Sequence, residues 1–199
     1  MKVLIIAPHI DDEVLGCSAF LNENAFVLYC GVQDRKVISK KGRLIELESV
    51  KKESGFEYSI LNDTKENEYE LFLLLGHFEE FINYLSPDMV LIPHPSYNQD
   101  HRTVYEAAFT ALRPHDENFF VKKVLVYEQP HTLFWRRNVF GPNYFVEVDI
   151  KRKIKLYELM PSQVRSFRGQ EHLEAMAVLR GGQSNMKYAE SYEILRWID

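Results

Sequence analysis

Four apolar runs of strand length recur along the chain, separated by longer segments with helical patterning. They read KVLIIAP (2–8), FVLYCGV (26–32), DMVLIPH (88–94) and KKVLVYEQ (122–129). Continuous apolar runs, rather than alternating ones, are typical of strands in a parallel sheet, because helices cover both faces of such a sheet. The pattern therefore predicts four buried parallel strands.

Helical patterns fill the intervals between these strands. They cover 12–22, 43–54 with Gly55 as a stop, 69–85 before Ser86 and Pro87, and 102–112 before Pro114. A glycine after the last turn, or a proline shortly beyond it, commonly ends a helix. Strands that alternate with helices predict an α/β fold of the Rossmann-like, doubly wound class, with a mainly parallel sheet and helices on both faces.

The pattern changes after Gln129. A stretch containing Pro, Trp and Asn (130–143) precedes a strand-like YFVEVDI (144–150) and three helical segments near 151–160, 168–180 and 187–197. Because no linker, repeat or low-complexity segment intervenes, we expect a single domain, 1–199, whose C-terminal part from about 130 caps the same core. Aromatic residues such as Phe134 and Trp135 could stack on a sugar ring, with a lid or an oligomer contact as alternatives.

Composition narrows the class of protein. The 199 residues are 46% hydrophobic and 27% charged, which is typical of a globular chain long enough to bury a core. The formal net charge is −5, and the basic clusters are short and separated by acidic stretches. We therefore expect no nucleic-acid partner.

The apolar runs and the cysteines indicate the cellular compartment in which we expect the protein. The N-terminal run and LFLLL (71–75) are too short for a signal peptide or a membrane span. Cys17 and Cys30 form no CxxC pair and fall in apolar surroundings, which favours reduced thiols. We expect a soluble, cytoplasmic protein with no transmembrane segment, and a homo-oligomer is compatible with the sequence.

Polar side chains follow the strands at 2–8 and 88–93 where each strand ends. His9, Asp11 and Asp12 follow the first of them, and the segment from His94 to His101 follows the other. In an open α/β sheet, ligands bind in the crevice beyond the carboxyl ends of the strands. If the two strands are neighbours, the two polar loops meet there.

The residue types in these loops point to a metal. His9 and Asp12 are three residues apart where the loop becomes a helix, so their side chains can converge, and His101 arrives from the second loop. Two imidazole nitrogens and one carboxylate oxygen, with a fourth position open to water, form the usual catalytic zinc arrangement. A dication also offsets the repulsion among the adjacent carboxylates of Asp11, Asp12 and Glu13.

Two further carboxylates suit such a site. Asp11 lies beside the metal without being needed as a ligand, so it is free to take a proton from the attacking water. Asp100 can orient an imidazole ligand through a hydrogen bond. The alternative for the first loop is a helix N-cap, which leaves His9 and one carboxylate unexplained. For NQDHR (98–102) the alternative is a capped helix start with His101 in solvent.

Several stretches resemble one known family. APHIDDEVLGC (7–17) looks like the AHPDDE signature of the LmbE-like, or PIG-L, zinc-dependent N-acetylglucosamine deacetylases. NQDHRTVYEAA (98–108) is similar to the second motif of that family, usually HPDHR or HQDHR. RLIELESVKKESGF (43–56) and RGGQSNMKYAESYEILR (180–196) resemble its Arg…Glu…Gly helix and its C-terminal ending. The resemblance extends over nearly the whole chain and implies the LmbE-like fold.

The resemblance implies roles for particular residues. It makes His9, Asp12 and His101 the zinc ligands and Asp11 the general base, and Arg43 matches the region of a substrate-contacting arginine. Zn²⁺ is the implied cofactor, although Fe²⁺ or another divalent ion suits the same ligands.

Two positions depart from the family pattern. Asn98 stands where the second motif commonly begins with a histidine that stabilises the oxyanion, and the later HxSQ motif reads MPSQ (160–163). An amide such as that of Asn98 can donate a hydrogen bond to the substrate but cannot supply a proton. We expect Asp11 to return its own proton to the leaving amine. The alternatives are His94, His131 or His172 reaching the site from elsewhere.

The implied activity is hydrolysis of the N-acetyl group of an amino sugar. The substrate would be a GlcNAc-type glycoside, a nucleotide sugar or a lipid-linked sugar, with water activated by zinc and by Asp11. The alternative is a metal-containing sugar-binding protein without turnover, which the departures at Asn98 and Met160 would permit. A nucleotide-binding module ranks last because no glycine-rich phosphate loop follows the first strand.

Overall fold

A seven-stranded sheet forms the centre of the computed structural model, which describes residues 1–114, 116–133 and 139–199. The strands are β1 (Val3–Ala7), β2 (Ala25–Tyr29), β3 (Glu57–Ile60), β4 (Met89–Pro93), β5 (Lys123–Tyr127), β6 (Tyr144–Glu147) and β7 (Ala189–Trp197). Their order is β3-β2-β1-β4-β5-β7-β6. Strands β1 to β5 pair in parallel, and β7 runs antiparallel to both β5 and β6.

Helices cover both faces of this sheet. They are α1 (Asp12–Cys17), α2 (Lys40–Ser54), α3 (Leu71–Leu85), α4 (Gln99–Ala111), α5 (Ile150–Glu158) and α6 (Gln170–Ser184). Successive strand residues point to opposite faces, so Ile5 joins a buried cluster with Leu47 of α2, whereas Ile6 joins one with Phe78 of α3. The predicted fold class is confirmed: a mixed, mostly parallel sheet lies between helical layers.

The helix predicted near 187–197 is wrong, because Ala189–Trp197 forms β7. Its inward positions include polar side chains that find buried partners. The Glu190 carboxylate accepts a hydrogen bond from Lys153 Nζ at 2.7 Å, and Ser191 Oγ donates to Glu128 at 2.7 Å. Polar residues on a buried face obscure the alternation by which a half-buried strand is recognised.

Smaller differences concern boundaries. The helix predicted at 12–22 ends at Cys17 and continues as a 3₁₀ turn, Ser18–Phe20. The edge strand β3 was not predicted, since EYSI is short and only partly buried. Phe134 and Trp135, considered above for sugar stacking, lie outside the described residues.

The strand order determines where a ligand can bind. Strand β1 lies between β2 and β4, so the chain moves outward to β3 and then crosses back to the other side of β1. This reversal creates a crevice at the carboxyl ends of β1 and β4. His9, in the loop after β1, and His101, in the first turn of α4 rather than in the loop before it, meet in that crevice.

Among the described residues, no helix combines the length and apolar composition that crossing a bilayer requires.

Candidate metal centre

The loop after β1 and the first turns of α1 and α4 bring His9, Asp12 and His101 together. One potential ligand atom from each lies within 4.8 Å of the other two. Asp12 Oδ2 is 3.4 Å from Nδ1 of His9 and 3.5 Å from Nε2 of His101. Ligands about 2.0 Å from a tetrahedral zinc ion are separated from one another by ~3.3 Å, so these spacings fit a metal of that size.

Asp100 orients the imidazole of His9. Its Oδ2 lies 2.7 Å from Nε2 of His9, so the ring donates Nε2–H to the carboxylate and directs Nδ1 toward Asp12. A hydrogen bond on the far nitrogen fixes both the tautomer and the orientation of a metal-binding imidazole. The same Oδ2 accepts a hydrogen bond from the backbone N–H of Asn67 at 3.0 Å.

The segment 62–69, which we call the β3–α3 loop, supports this arrangement without supplying any of the three candidate ligands. Tyr69 donates its hydroxyl to the carbonyl of Pro8 at 2.7 Å, and Thr64 donates to the carbonyl of Cys30. Asn67 has a φ of 69°, a left-handed conformation that asparagine tolerates better than most residues. This loop therefore connects the segments that follow β1 and β2 with the first turn of α4.

The three candidate ligands have different charge states without a metal. Burial lowers the pKa of His9, but hydrogen bonds with Asp100 and Asp12 outweigh it and raise that pKa to about 10. Burial raises the pKa of Asp12, but His101 and His9 hold it well below its usual value. Burial lowers the pKa of His101 to about 4. At neutral pH the site thus contains one cationic imidazole, one carboxylate and one neutral imidazole.

Asp11 is held in an unusual conformation beside the three candidate ligands His9, Asp12 and His101, which we call the triad. It precedes α1 with a φ of 135°, which is rare for any residue other than glycine, and residues strained in this way cluster at functional sites. Its Oδ2 lies 3.0 Å from Nη2 of Arg168. Burial raises the pKa of Asp11, and the Arg168 guanidinium opposes that effect.

The third carboxylate of the first loop, Glu13, is not one of the three candidate ligands. Glu13 is fully buried, and its Oε2 accepts the backbone N–H of Asp11 at 3.0 Å. Burial and the charge of Asp11 raise the pKa of Glu13 to about 8, so a protonated carboxyl predominates at neutral pH. This neutral form relieves part of the charge repulsion among the three adjacent carboxylates.

Arg43 and Asn98 both have partners within the chain. The Arg43 guanidinium on α2 donates to the carbonyl of Ile10 and to Ser162 Oγ, and it pairs with Glu46. It thereby touches the loop between His9 and Asp11. Asn98 caps α4, with its side-chain oxygen accepting the backbone N–H of Asp100 at 2.8 Å.

Two neighbours of the triad were not assigned a role from the sequence. Arg168, in the 3₁₀ turn Ser166–Arg168, pairs with Asp11 as described above. His131, one of three histidines considered as alternatives, has its ring centroid 5.1 Å from that of His101. Burial, with a contribution from His101, lowers the pKa of His131 to about 3, so its ring is neutral. The sequence signal that could have identified His131 as a site residue is its position directly after β5, because β5 ends at the same edge of the sheet as β1 and β4.

No family model and no curated protein sequence matches the chain. Solved structures match it throughout. N,N'-diacetylchitobiose deacetylase from Pyrococcus horikoshii is 20% identical with a TM-score of 0.73, over 98% of this chain and 84% of that one. The 4-carboxy-2-hydroxymuconate hydratase from Pseudomonas putida KT2440 is 17% identical with a TM-score of 0.75, over 100% and 98%.

A third match is the zinc-inhibited form of a teicoplanin deacetylase, 18% identical with a TM-score of 0.70 over 100% of both chains. These likenesses confirm the LmbE-like fold inferred from the sequence. Of these three proteins, one is a hydratase and two are deacetylases. Because one fold can carry different chemistry, the reaction has to be argued from the site.

Proposed function

We propose that this protein is a metal-dependent hydrolase that removes the N-acetyl group from an N-acetylated amino sugar. The observation that carries the proposal is a strained, buried carboxylate, Asp11, directly beside two histidines and an aspartate with the spacing of metal ligands. A site that only held a metal would not require this extra carboxylate. The matching deacetylases and the family resemblance of the sequence favour an acetamide as the substrate.

The proposed ligands are Nδ1 of His9, an oxygen of Asp12 and Nε2 of His101. When bound, a divalent metal would polarise the amide carbonyl and make water a stronger nucleophile at neutral pH. We propose Zn²⁺, with Fe²⁺ as the alternative, since this ligand set suits several divalent ions. The zinc-inhibited neighbour is a reason to test both metals at several concentrations.

Asp11 performs the proton transfers in this proposal. It accepts a proton from the attacking water as the new carbon–oxygen bond forms, and it returns that proton to the amine nitrogen as the carbon–nitrogen bond breaks. Arg168, 3.0 Å away, favours the ionised carboxylate before the reaction and helps to fix its position. The products are acetate and the free amino sugar.

Substrate contacts are proposed for Arg43 and Asn98. The side-chain oxygen of Asn98 is engaged in capping α4, which leaves its amide N–H groups as donors toward a sugar or toward the amide oxygen.

We propose that the reaction takes place in the cytoplasm, where the buried free thiols Cys17 and Cys30 would stay reduced.

The test is release of acetate and free amine from a panel of N-acetylated amino sugars. Protein would be stripped of metal and reloaded with Zn²⁺ or Fe²⁺, and activity should return only on reloading. Asp11→Asn should lower kcat by at least ~10²-fold while retaining the metal, because a general base contributes about 10²–10⁴-fold.

The matched control is Asp63→Asn, which alters another aspartate that contacts a histidine, His77, at 2.9 Å on the surface. It should leave kcat unchanged. An Asp11→Asn variant with full activity would mean that the base is wrongly assigned. Stoichiometric metal with no hydrolysis on any substrate would instead support the sugar-binding protein.

A further inference from the structure

His131 is held in place by contacts that reach the metal centre. It lies in the 3₁₀ turn Pro130–Leu133, immediately after β5, the strand next to β4. Thr132 closes the turn by donating both its backbone N–H and its hydroxyl to the carbonyl of Gln129, at 2.9 and 2.8 Å. The Gln129 side chain in turn donates to the carbonyl of Asp12 at 3.2 Å. The turn is therefore connected to the backbone of a proposed ligand.

The ring of His131 has an unused polar atom. Among the described residues, its buried Nε2 has no hydrogen-bond partner. The ring contacts His101 nearly perpendicularly, at 83°, and the ring of Tyr97 lies 5.2 Å from it. A buried polar atom without a partner costs about 1–3 kcal/mol, and such atoms in native proteins call for an explanation such as a ligand.

His131, rather than His94, is the histidine that belongs to the site. The ring centroid of His131 lies 5.1 Å from that of the candidate ligand His101. The ring of His94 instead packs against Phe140, with 5.2 Å between the centroids, so it faces a different environment.

At two positions where the family has pocket histidines, this chain has Asn98 and Met160. Asn98 uses its oxygen as a helix cap, and Met160 is an apolar, fully buried side chain. The substrate oxygen that gains negative charge would thus lack an imidazole donor from either position. A donor aimed at such an oxygen is worth about 10²–10³-fold in kcat.

We infer that His131 is a catalytic hydrogen-bond donor, whose imidazole gives Nε2–H to the acetamide oxygen as water adds to the carbonyl carbon. This inference rests on the proposed function. The carbonyl π pair moves onto the oxygen as the new carbon–oxygen bond forms, and the hydrogen bond stabilises that charge without transferring its proton. The proton from water still passes to Asp11 and then to the leaving amine.

The experiment compares His131→Phe, which keeps an aromatic ring and removes the donor, with His131→Gln, whose amide nitrogen keeps a donor near the Nε2 position. His77→Phe on the surface of α3 is the control. Metal content, thermal stability, kcat and KM are measured for each. Affinity for methylphosphonate, a tetrahedral anion, is measured by calorimetry on the metal-loaded protein.

His131→Phe should lower kcat by ~10²–10³-fold with KM and metal content unchanged, and should weaken methylphosphonate binding. His131→Gln should recover at least tenfold of the lost kcat. Unchanged kcat in His131→Phe would refute the inference. Loss of metal from a folded His131→Phe would make this residue a ligand instead. If His131→Gln is as inactive as His131→Phe, the imidazole is needed for more than donation.

Failure of the proposed function and failure of the inference about His131 give different results. If the wild type releases no acetate from any substrate, the hydrolase proposal is refuted, and methylphosphonate binding still tests the donor. Tighter binding by the wild type than by His131→Phe would support the donor. Equal binding would refute it. Should His131→Phe not fold, His131→Leu takes its place as the variant without a donor, with the same expected and refuting results.

Discussion

Loading the metal-free protein with Zn²⁺ should release one proton. Before loading, His9 carries two N–H groups, one 2.7 Å from Asp100 and the other facing Asp12 at 3.4 Å, and its pKa is raised to about 10. His101 is already neutral because burial lowers its pKa to about 4. A metal needs the lone pair on His9 Nδ1, so that single proton has to leave.

The size of the effect follows from the pKa of His9. Between about pH 5 and pH 9 the affinity for Zn²⁺ should rise tenfold for each unit of pH, because one proton competes with the metal. At pH 7, three units below that pKa, the competition costs about 4 kcal/mol at 1.36 kcal/mol per unit. Below pH 4 protonation of His101 adds a second proton and doubles the slope.

Titration calorimetry at pH 6 in buffers with different enthalpies of ionisation counts the protons directly. The observed enthalpy plotted against the buffer enthalpy should have a slope corresponding to about one proton. Asp100→Asn is the informative variant, because Asp100 makes the largest contribution that raises the pKa of His9, and the pH at which the slope has fallen to one half should be lower in this variant than in the wild type. A wild-type slope of zero or two would refute the assigned charge states.

Three further predictions concern Asp100, Glu13 and a pair of glycines in the helices. Asp100→Asn should weaken Zn²⁺ binding about 10–100-fold in a competition assay with a chelator, once the affinities are corrected for proton competition at His9, since it weakens the support of a ligand imidazole. Glu13→Gln should stabilise the metal-free protein by on the order of 3 kcal/mol at pH 7 in urea unfolding. The folded state raises the pKa of Glu13 from 4.5 to about 8, so it binds a proton that the unfolded chain has lost, and wild-type stability falls as the pH rises through that window. A Glu13→Gln variant whose stability falls with pH as the wild type's does would contradict this. Gly16→Ala should destabilise by about 1–3 kcal/mol, since its methyl group would lie 2.4 Å from the Tyr127 ring. Gly76→Ala, with nothing within 4 Å, should be stabilising by up to about 1 kcal/mol, and equal effects of the two alanines would be inconsistent with the packing.

The sheet and the triad were predictable because they depend on simple, local signals. Uninterrupted apolar runs mark β1, β2, β4 and β5, and the strand-end rule places His9 and His101 in one crevice without any knowledge of the helices. Strand β7 was missed because Glu190 and Ser191 are inward-facing and find partners on distant elements. A single sequence carries no sign that such partners exist.

The surroundings of the triad were harder to foresee. Arg168 is separated from Asp11 by most of the chain, and their 3.0 Å contact depends on where tertiary packing places the turn Ser166–Arg168. The backbone strain at Asp11 could not be predicted either, because no residue in the sequence of the loop specifies a φ of 135°. Tertiary packing, rather than local preference, decides both.

The hydrogen bond from Asn67 to Asp100 links the metal centre to the local stability of the β3–α3 loop. Among the described residues, the backbone N–H of Asn67 and Nε2–H of His9 are the donors to Oδ2 of Asp100, so opening this loop would remove one of them and loosen the partner of His9. Proteins open such segments at a free energy below that of global unfolding. We therefore expect a bound metal to leave faster when this loop opens more often, even though the loop supplies none of the proposed ligands.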